Sequence, residues 1–572
     1  MKTYWQILKR YKKYIILSPI LVLGFVLCET AQPSLMASIV DDGVMQRDLD
    51  KIIDIGLIMI GLSIIAIGLS ITNVYCASKT AVGFSTDLRK KMFNKIQKLS
   101  FGDIDEFSSA SLITRMTNDT TVLQQILMRT MLILYRAPMM MILALFYIIR
   151  ININMAGFLG LAIPILGVSI FLLLRKGYPM FTKVQEKLDK LNEKIRENLI
   201  NIRVVKSFVR EDFEKKKFNE ANEDFRDTYI KALDIMILVM PIMQLVMNST
   251  IIFILWSGAV TGLQIGSLIS LVNYSMQILM ALMLVSMTII MLARATASSK
   301  RIQEILKKEP TIVDSPLVAG SHHKITKGNI EFRDVYFKYN LNSGNYVLKD
   351  ISFNIDAGEN IALVGATGSA KSTLLQLIPR LYEVTKGEIL IDGIGVKSYS
   401  LHELRESIGV VQQKNILFSG TILSNIMWGN PEASIEEVER VAKIAEAHEF
   451  ITSFPEGYNT ILGQGGVNLS GGQKQRICIA RALLKDPKIL ILDNSTSAVD
   501  TDTERRIRNN FSELSIKPTI IMVTQRLSSM ETSDRIIILE DGKVESIGTF
   551  EELREKSGVF KEIVNSQQLI LG

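Results

Sequence analysis

Nearly every long apolar run in this 572-residue chain lies before about residue 295. One polypeptide therefore has to satisfy two solvents. Six runs, at roughly 14–38, 52–78, 127–149, 154–175, 233–258 and 266–293, are each long enough to cross about 30 Å of hydrocarbon as a helix. Six crossings return the chain to the side where it began. Lys2, Lys9, Arg10, Lys12 and Lys13 precede the first run, and Lys90, Lys91, Arg203, Lys206, Arg294 and Arg301 fall on the same side, which marks that side as cytoplasmic. The first run is long and carries no convincing small-residue cleavage pattern, so it reads as a retained span. The later residues alternate charged and apolar segments, as a water-soluble α/β unit does. The expected divisions are 1–305 for the membrane part, 306–326 for a linker holding Pro310, Pro316 and Gly320, and 327–572 for the soluble part.

The loops are unequal. Spans three and four are separated by a few residues around Asn152 to Asn154, and spans five and six by Thr261 to Gln264. Segments 79–126 and 176–232 are long, charged and poor in helix breakers, with apolar positions at helical spacing. They read as membrane helices continued well into the cytoplasm. Two short turns within them, Gly102 to Ser111 and Lys206 to Phe213, are candidates for touching the soluble part. Methionine, at 25 residues, forms two stripes at helical spacing: Met236, Met240, Met243 and Met247 on the fifth span, and Met276, Met280, Met283, Met287 and Met291 on the sixth. A flexible, polarizable face of this kind adapts to varied apolar ligands, so these residues are candidates for lining a substrate cavity. Ordinary interhelical packing accounts for the same spacing equally well.

The net charge of +7 fits basic residues held on the cytoplasmic face of a membrane, and no nucleic-acid partner is expected. Cys28, Cys76 and Cys478 are too few and too scattered for a disulfide scaffold or a zinc site.

In the soluble part, strand-like stretches at 329–338, 349–355, 361–364, 388–391, 489–493 and 519–523 mix with helical stretches at 371–380, 401–407, 435–448, 471–485 and 502–514. The mixture predicts an α/β nucleotide-binding fold. Gly365 to Thr373 read GATGSAKST, between the strand IALV and the helix STLLQLIP. In that context the loop, through Gly365, Thr367, Gly368, Ser369 and Ala370, cradles phosphate at a helix N-terminus. Lys371 would reach the β- and γ-phosphates of ATP, and Ser372, ahead of Thr373, would ligate Mg2+. Ala370 stands where the usual motif has glycine; its methyl fits if the backbone there is helical. Asp493 ends the apolar strand ILIL, where a carboxylate can hold magnesium. Asn494 follows it. A glutamate at that position could polarise an attacking water, whereas an amide cannot accept the proton. The chemistry should suffer more than the binding. Upstream, Leu469 to Gln473 read LSGGQ.

The six spans and this ordered series of motifs resemble a half-transporter of the ATP-binding cassette (ABC) exporter family, of the multidrug type, over essentially the whole chain. The resemblance implies a multidomain fold: a six-helix, all-α transmembrane domain with long cytoplasmic helix extensions, then an α/β P-loop nucleotide-binding domain with a helical subdomain. It implies that Tyr339 stacks on adenine, that Gly365 to Thr373 is the Walker A loop, and that Gln413 before LFSGTI senses magnesium and couples to the membrane helices. It further implies that Leu469, Ser470, Gly471, Gly472 and Gln473 form a signature acting on ATP held by a partner, that Asp493 is the Walker B carboxylate, and that Ser497 to Asp500 is the communication loop. The family's switch histidine falls at Gln525 and its catalytic glutamate at Asn494, so no competent catalytic residue is expected in this chain. Gln464 and Gly465, within GQGG before the signature, replace residues that are more often charged. The two cytoplasmic turns become coupling helices, one for each cassette.

Loss of both Glu and His, beside an intact signature, implies an asymmetric heterodimer. The partner would be a second, non-identical half-transporter with an intact glutamate and histidine, in the cell membrane, with the N-terminus and cassette of this multi-pass chain cytoplasmic. Family resemblance and the methionine stripes favour amphipathic drugs or other hydrophobic small molecules as substrate. Lipid or hydrophobic-peptide export, and a nucleotide-gated regulatory or channel-like role, are the alternatives.

Overall fold

The computed structural model describes residues 2–314, 323–340, 344–494, 499–514 and 517–571, with only the backbone at several positions within 154–178, 286–294 and 566–571 and at 2 and 239. The chain divides into two compact units, residues 1–97 with 110–307, and residues 98–109 with 308–572.

The first unit is helical. Its long helices are α1 (Lys12–Ser38), α2 (Leu49–Ile96), α3 (Arg136–Ile151), α4 (Ile153–Ile200), α5 (Glu211–Met236), α6 (Val239–Thr261) and α7 (Ile265–Lys307). Helices α2 and α4 have 48 residues each. At 1.5 Å per residue each is about 72 Å long, more than twice the hydrocarbon thickness, so both continue beyond it. Among the described residues five helical stretches are long and apolar enough to cross a membrane: Thr3–Val44, Leu49–Ile96, Ser109–Ile151, Glu211–Thr261 and Ile265–Val285. The fourth expected span, 154–175, lies on α4, where many side chains fall outside the described residues.

The two tight turns form where expected. Asn152 takes an extended conformation between α3 and α4, and Gly262, at φ 65°, ends α6 in the left-handed form that glycine tolerates best. The fifth expected span is not one uninterrupted helix. The helix is interrupted at Ile237 and Leu238, where Pro241 has no N–H to offer the Ile237 carbonyl, although Ile237 N still donates to the Leu233 carbonyl and Leu238 O accepts from Ile242 N. Polar ties join the helices across the bundle. The Ser18 hydroxyl donates to Asn73 Oδ1 at 2.7 Å, and the Asp41 carboxylate caps the start of α7 through Gly266 N (2.7 Å) and Ser267 N (3.2 Å). The Tyr274 hydroxyl donates to the Thr30 carbonyl at 2.8 Å.

The second unit is built on two main sheets. Strands β1 (Ile330–Phe337), β2 (Leu348–Ile355), β4 (Lys386–Ile391) and β5 (Ile394–Gly395) form an antiparallel sheet in the order β2-β1-β4-β5. Strands β3 (Asn360–Val364), β6 (Ile408–Val411), β9 (Ile489–Asp493), β10 (Thr519–Val523), β11 (Arg535–Glu540) and β12 (Lys543–Gly548) form a six-stranded sheet in the order β12-β11-β3-β10-β9-β6. All neighbours in it are parallel except β11 and β12. Its parallel strands are near-continuous apolar runs, as a sheet covered on both faces requires. A two-stranded pair, β7 (Gly420–Thr421) with β8 (Ile461–Leu462), leads into helices at Ile422–Ile426, Ile435–Ile444 and His448–Thr452, which share a core with the helix Gly471–Leu483.

The sequence expectations do not include β6, β11 and β12, nor the two-residue strands β5, β7 and β8. The β11–β12 hairpin turns on Asp541 and Gly542, both at positive φ, and an Asp-Gly pair between apolar runs is the usual signal for such a turn. The helix expected over 371–380 stops at Leu377, ahead of Pro379.

Residues 98–109 pack within the second unit rather than the first, so the expected single cut near residue 305 misses one excursion of the chain. Ser100 caps the short helix Phe101–Asp105 in a reciprocal capping box with Asp103. The buried Asp103 carboxylate also accepts from Thr311 N at 3.0 Å, and Lys308 pairs with Glu106 at 2.8 Å. Burial raises the Asp103 pKa, but the bonds from Ser100 and Thr311 and the charge of Lys308 outweigh it and hold the carboxyl below its ordinary value.

Candidate nucleotide-binding site

Strand register assembles the site. Val523 lies beside Asp493 on one side and Leu363 on the other. The loops that follow these three strands therefore leave the sheet at one edge: Gly365 onward after β3, Asn494 after β9 and Gln525 after β10. Crevices at the carboxyl ends of parallel strands are where α/β sheets bind ligands.

The phosphate loop then enters helix α8 (Lys371–Leu377). Gly365 has φ 152°, and a Cβ there would stand 2.2 Å from the Leu539 carbonyl oxygen, so no side chain fits. Lys371 Nζ donates to the carbonyls of Gly365 and Ala366, both at 2.8 Å, and to Ser369 Oγ at 3.1 Å. Ser372 Oγ donates to Asp493 Oδ1 at 3.0 Å. Gln413 lines the same cleft of about 480 Å³ as Ser372 and Asp493. A hydroxyl, a carboxylate and an amide oxygen are the hard donors that magnesium takes together with phosphate oxygens. Among the described residues no group of three or more His, Cys, Asp or Glu could hold a metal by itself. Burial pushes the Asp493 carboxyl up, against the opposing bond from Ser372 and the charge of Lys371. Burial likewise pushes Lys371 down, against the charge of Asp493. Both ionised forms are short of solvent, and each is stabilised by an opposite charge.

One feature of the loop departs from expectation. The backbone at Ala370 is not right-handed helical: φ is 72° and ψ 21°, the left-handed region. The methyl is accommodated in a conformation that disfavours any Cβ, and it packs against the sheet core beside Leu374. Asn494 is also left-handed, at φ 49°, a region that asparagine tolerates better than most residues.

Tyr339 lies over α8 from the side. Its hydroxyl and Thr373 Oγ1 are 2.9 Å apart, and its ring meets Phe337 and Tyr382 edge-on while remaining 53% exposed. Tyr382 in turn donates to Asp105 Oδ2 at 2.6 Å and tilts against Phe101. An aromatic chain thus runs from the short helix 101–105 through Tyr382 and Tyr339 to the phosphate-loop helix. Tyr382 carried no motif signal; only the fold brings it there.

LSGGQ forms the start of helix α9 (Gly471–Leu483). Leu469 is buried as an anchor. Ser470 and Gln473 close a capping box, with Ser470 N donating to Gln473 Oε1 at 2.9 Å and Gln473 N donating to Ser470 Oγ at 3.3 Å. Gly471 and Gly472 supply the first-turn amides of a helix at a partly exposed face, a favourable end for an anion. Asp500 caps helix α10 (Thr501–Asn510) through Thr503 N at 2.9 Å. The other communication-loop residue named from the sequence, Ser497, lies outside the described residues. Gln525 is exposed. Its neighbour Arg526 donates to the fully buried Glu504 at 2.6 Å and to the Val499 carbonyl at 2.7 Å. This clamp joins the segment at 525 to the stretch just before Asp500, and sequence motifs gave no hint of it.

In the membrane unit none of the described stripe methionines is buried. Met240 is 63% and Met280 53% exposed, and Met236, Met243, Met247, Met276 and Met283 are half-buried. The Met287 side chain lies outside the described residues. One ion pair there belongs to no motif: Arg136 Nη2 donates to both oxygens of Glu29, at 2.6 and 2.8 Å.

The family model described as "ABC transporter transmembrane region" matches residues 15–295, and the one described as "ABC transporter" matches residues 348–497. An ABC transporter ATP-binding protein of Bacillus subtilis, YfiB, is 39% identical over 98% of this chain and 97% of its own length. A putative multidrug export ATP-binding/permease protein of the same species, YgaD, is 31% identical over 100% of this chain and 99% of its own. Among solved structures, that of a bacterial Atm1-family ABC exporter with ATP bound covers 98% of this chain and 99% of that one, with a TM-score of 0.80 at 23% identity, a likeness of fold.

Proposed function

Since the chain belongs to the ABC transporter family and carries that family's ATPase domain behind its membrane region, we propose that it is the degenerate-site subunit of a heterodimeric exporter. The pair would drive amphipathic drugs or other hydrophobic compounds out of the cell by alternating access. One observation carries this reading: a fully capped LSGGQ helix stands in the same cassette as Asn494 and Gln525. The parts that act on a partner's nucleotide are intact, while the two that would act on this chain's own are amides.

In this reading Ser372, Gln413 and Asp493 would hold magnesium, which would supply charge neutralisation to the phosphates. Lys371 and the loop amides bind and orient ATP, and the exposed ring of Tyr339 offers a face for adenine. Asn494 can position a water by hydrogen bonding but cannot take its proton. ATP bound here acts chiefly as part of the dimer interface. The partner supplies the second site, with its own glutamate and histidine, and Ser470 with the Gly471 and Gly472 amides completes it. The helix Phe101–Asp105 and the exposed apolar turn at Lys206 to Phe213 serve as the coupling elements. The name of the relative YgaD supports drugs as the substrate class. The test is co-purification of the chain with its partner, followed by ATPase stimulation and vesicle transport across drugs and lipids. Drug-stimulated turnover with vectorial flux supports the proposal. ATP binding with no flux of any compound supports the gating alternative and refutes export.

A further inference from the structure

Glu29 is the only charged residue between Lys13 and Asp41, and Arg136 the only one between Arg129 and Arg150. Glu29 stands seventeen residues beyond Lys12 on α1, about 26 Å along the helix axis, deep within an apolar stretch. The two residues meet in the bridging pair described above, beside the apolar cluster of Val22, Val26, Ala137, Met140 and Ala281. The guanidinium also lies 4.6 Å above the Phe25 ring. Charges at this depth are costly and face protein or a water-filled cavity rather than lipid. Yet the pair is not sealed: the Arg136 and Glu29 side chains keep 35% and 30% of their surface open. Its hydrogen-bonding capacity is also unspent. Arg136 Nε is buried without a partner, and so is Gln277 Oε1 on α7. Gln277 stands between Tyr274, which bonds Thr30, and Ala281, which packs on Val22 and Val26, and so lies at the level of Glu29.

A singly charged ligand fits this place poorly. An anion on Arg136 would leave the cluster net negative in a medium of low dielectric, and a cation on Glu29 would leave it net positive. A ligand with both charges close together meets both residues and keeps the cluster neutral. We propose that Glu29 and Arg136 form a recognition point for the compact zwitterionic head of an amphipathic ligand, such as a phospholipid-type or α-amino-acid-type head. The proposal rests on the export reading for its physiological sense. It is tested by binding without hydrolysis, so the two fail separately.

The assay titrates four fluorescent probes with one common dansyl-undecyl tail into the full chain, with its partner, in nanodiscs. Their heads are phosphocholine, an α-amino acid, trimethylammonium and phosphate. At least one zwitterion should bind at least tenfold tighter than either probe of a single charge sign, and the tighter of the two zwitterions identifies the source of the head. The neutral double variant Glu29→Gln/Arg136→Gln should reduce that preference below twofold. The exchanged pair Glu29→Arg/Arg136→Glu should restore it. The single variants should redirect it, Glu29→Gln toward the phosphate probe and Arg136→Gln toward trimethylammonium. Equal affinity for all four heads in the unaltered protein, or a zwitterion preference that survives the neutral double variant, would overturn the proposal and leave the pair as a tie between helices.

Discussion

Ala370→Gly isolates the strain stored in the phosphate loop. An L-residue held left-handed pays about 1–2 kcal/mol relative to its right-handed form, and Ala370 sits at φ 72°, ψ 21°. Glycine removes that cost. Against it stand about 0.4–1 kcal/mol of extra chain entropy and at most about 0.8 kcal/mol for a methyl that is only partly buried. The terms nearly cancel for folding, so thermal unfolding of the cassette should move little. Nucleotide binding differs, because the free loop is tethered at both ends within the folded cassette, so glycine's extra chain entropy largely drops out between free and bound loop while the strain relief outlasts the lost methyl contact. Relief of strain then favours the phosphate-cradling conformation by about 1 kcal/mol, close to fivefold in Kd. Ala370→Val makes the opposite change: a β-branched residue in the same conformation should weaken binding by at least a similar factor. The assay is equilibrium titration of each full-length variant with a fluorescent ATP analogue and magnesium. If the glycine variant binds no tighter than the parent and the valine variant no more weakly, position 370 stores no usable strain and the reasoning fails.

The remaining predictions follow from other contacts. Burial raises the Asp493 pKa, so protonation begins at a higher pH than for a free aspartate. Magnesium-dependent ATP affinity should therefore fall on acidification toward that raised pKa, and Asp493→Asn should flatten the pH dependence in a titration series. For Asp103 the shift is downward, so its stabilising effect is present above the unfolded pKa of about 3.9 and is lost as pH falls through the lower folded value. Asp103→Asn should cost about 1–3 kcal/mol at neutral pH and raise hydrogen exchange in residues 98–109; unchanged exchange would contradict the role given to that carboxylate. Tyr382→Phe removes the bond to Asp105 but keeps the ring, so it should loosen 98–109 with little loss of ATP affinity, whereas Tyr382→Ala should impair both. Glu504→Gln leaves Arg526 without its buried counter-charge and should destabilise the cassette by about 3–5 kcal/mol in denaturant unfolding.

What could be read from sequence was local. The phosphate loop, LSGGQ and Asp493 are contiguous strings whose spacing carries their geometry, and strand register brings the loops after β3, β9 and β10 to one edge. The elements that escaped depend on distant partners or on backbone shape. Glu29 and Arg136 are 107 residues apart, although each stands out as a lone charge in an apolar run, a signal that could have been read. Arg526 and Glu504 meet only because two short helices pack together. At Ala370 the departure from glycine is legible, but its cost lies in handedness, which composition does not reveal. The turn at Gly102 to Ser111 is legible as a contact to the soluble part, and 98–109 does pack in that unit; the bonds from Ser100, Asp103 and Lys308 that hold it there are what no periodicity encodes.

Steady-state phosphate release tests the central claim most directly, measured for the purified chain alone, for the pair, and for the pair with the partner's catalytic glutamate changed to glutamine. A missing general base costs about 10²- to 10⁴-fold. The account predicts a chain that binds ATP but turns it over at least a hundredfold more slowly than the pair. It also predicts a pair nearly silenced by the partner's substitution and changed much less by Asn494→Ala. Robust hydrolysis by this polypeptide alone would contradict it.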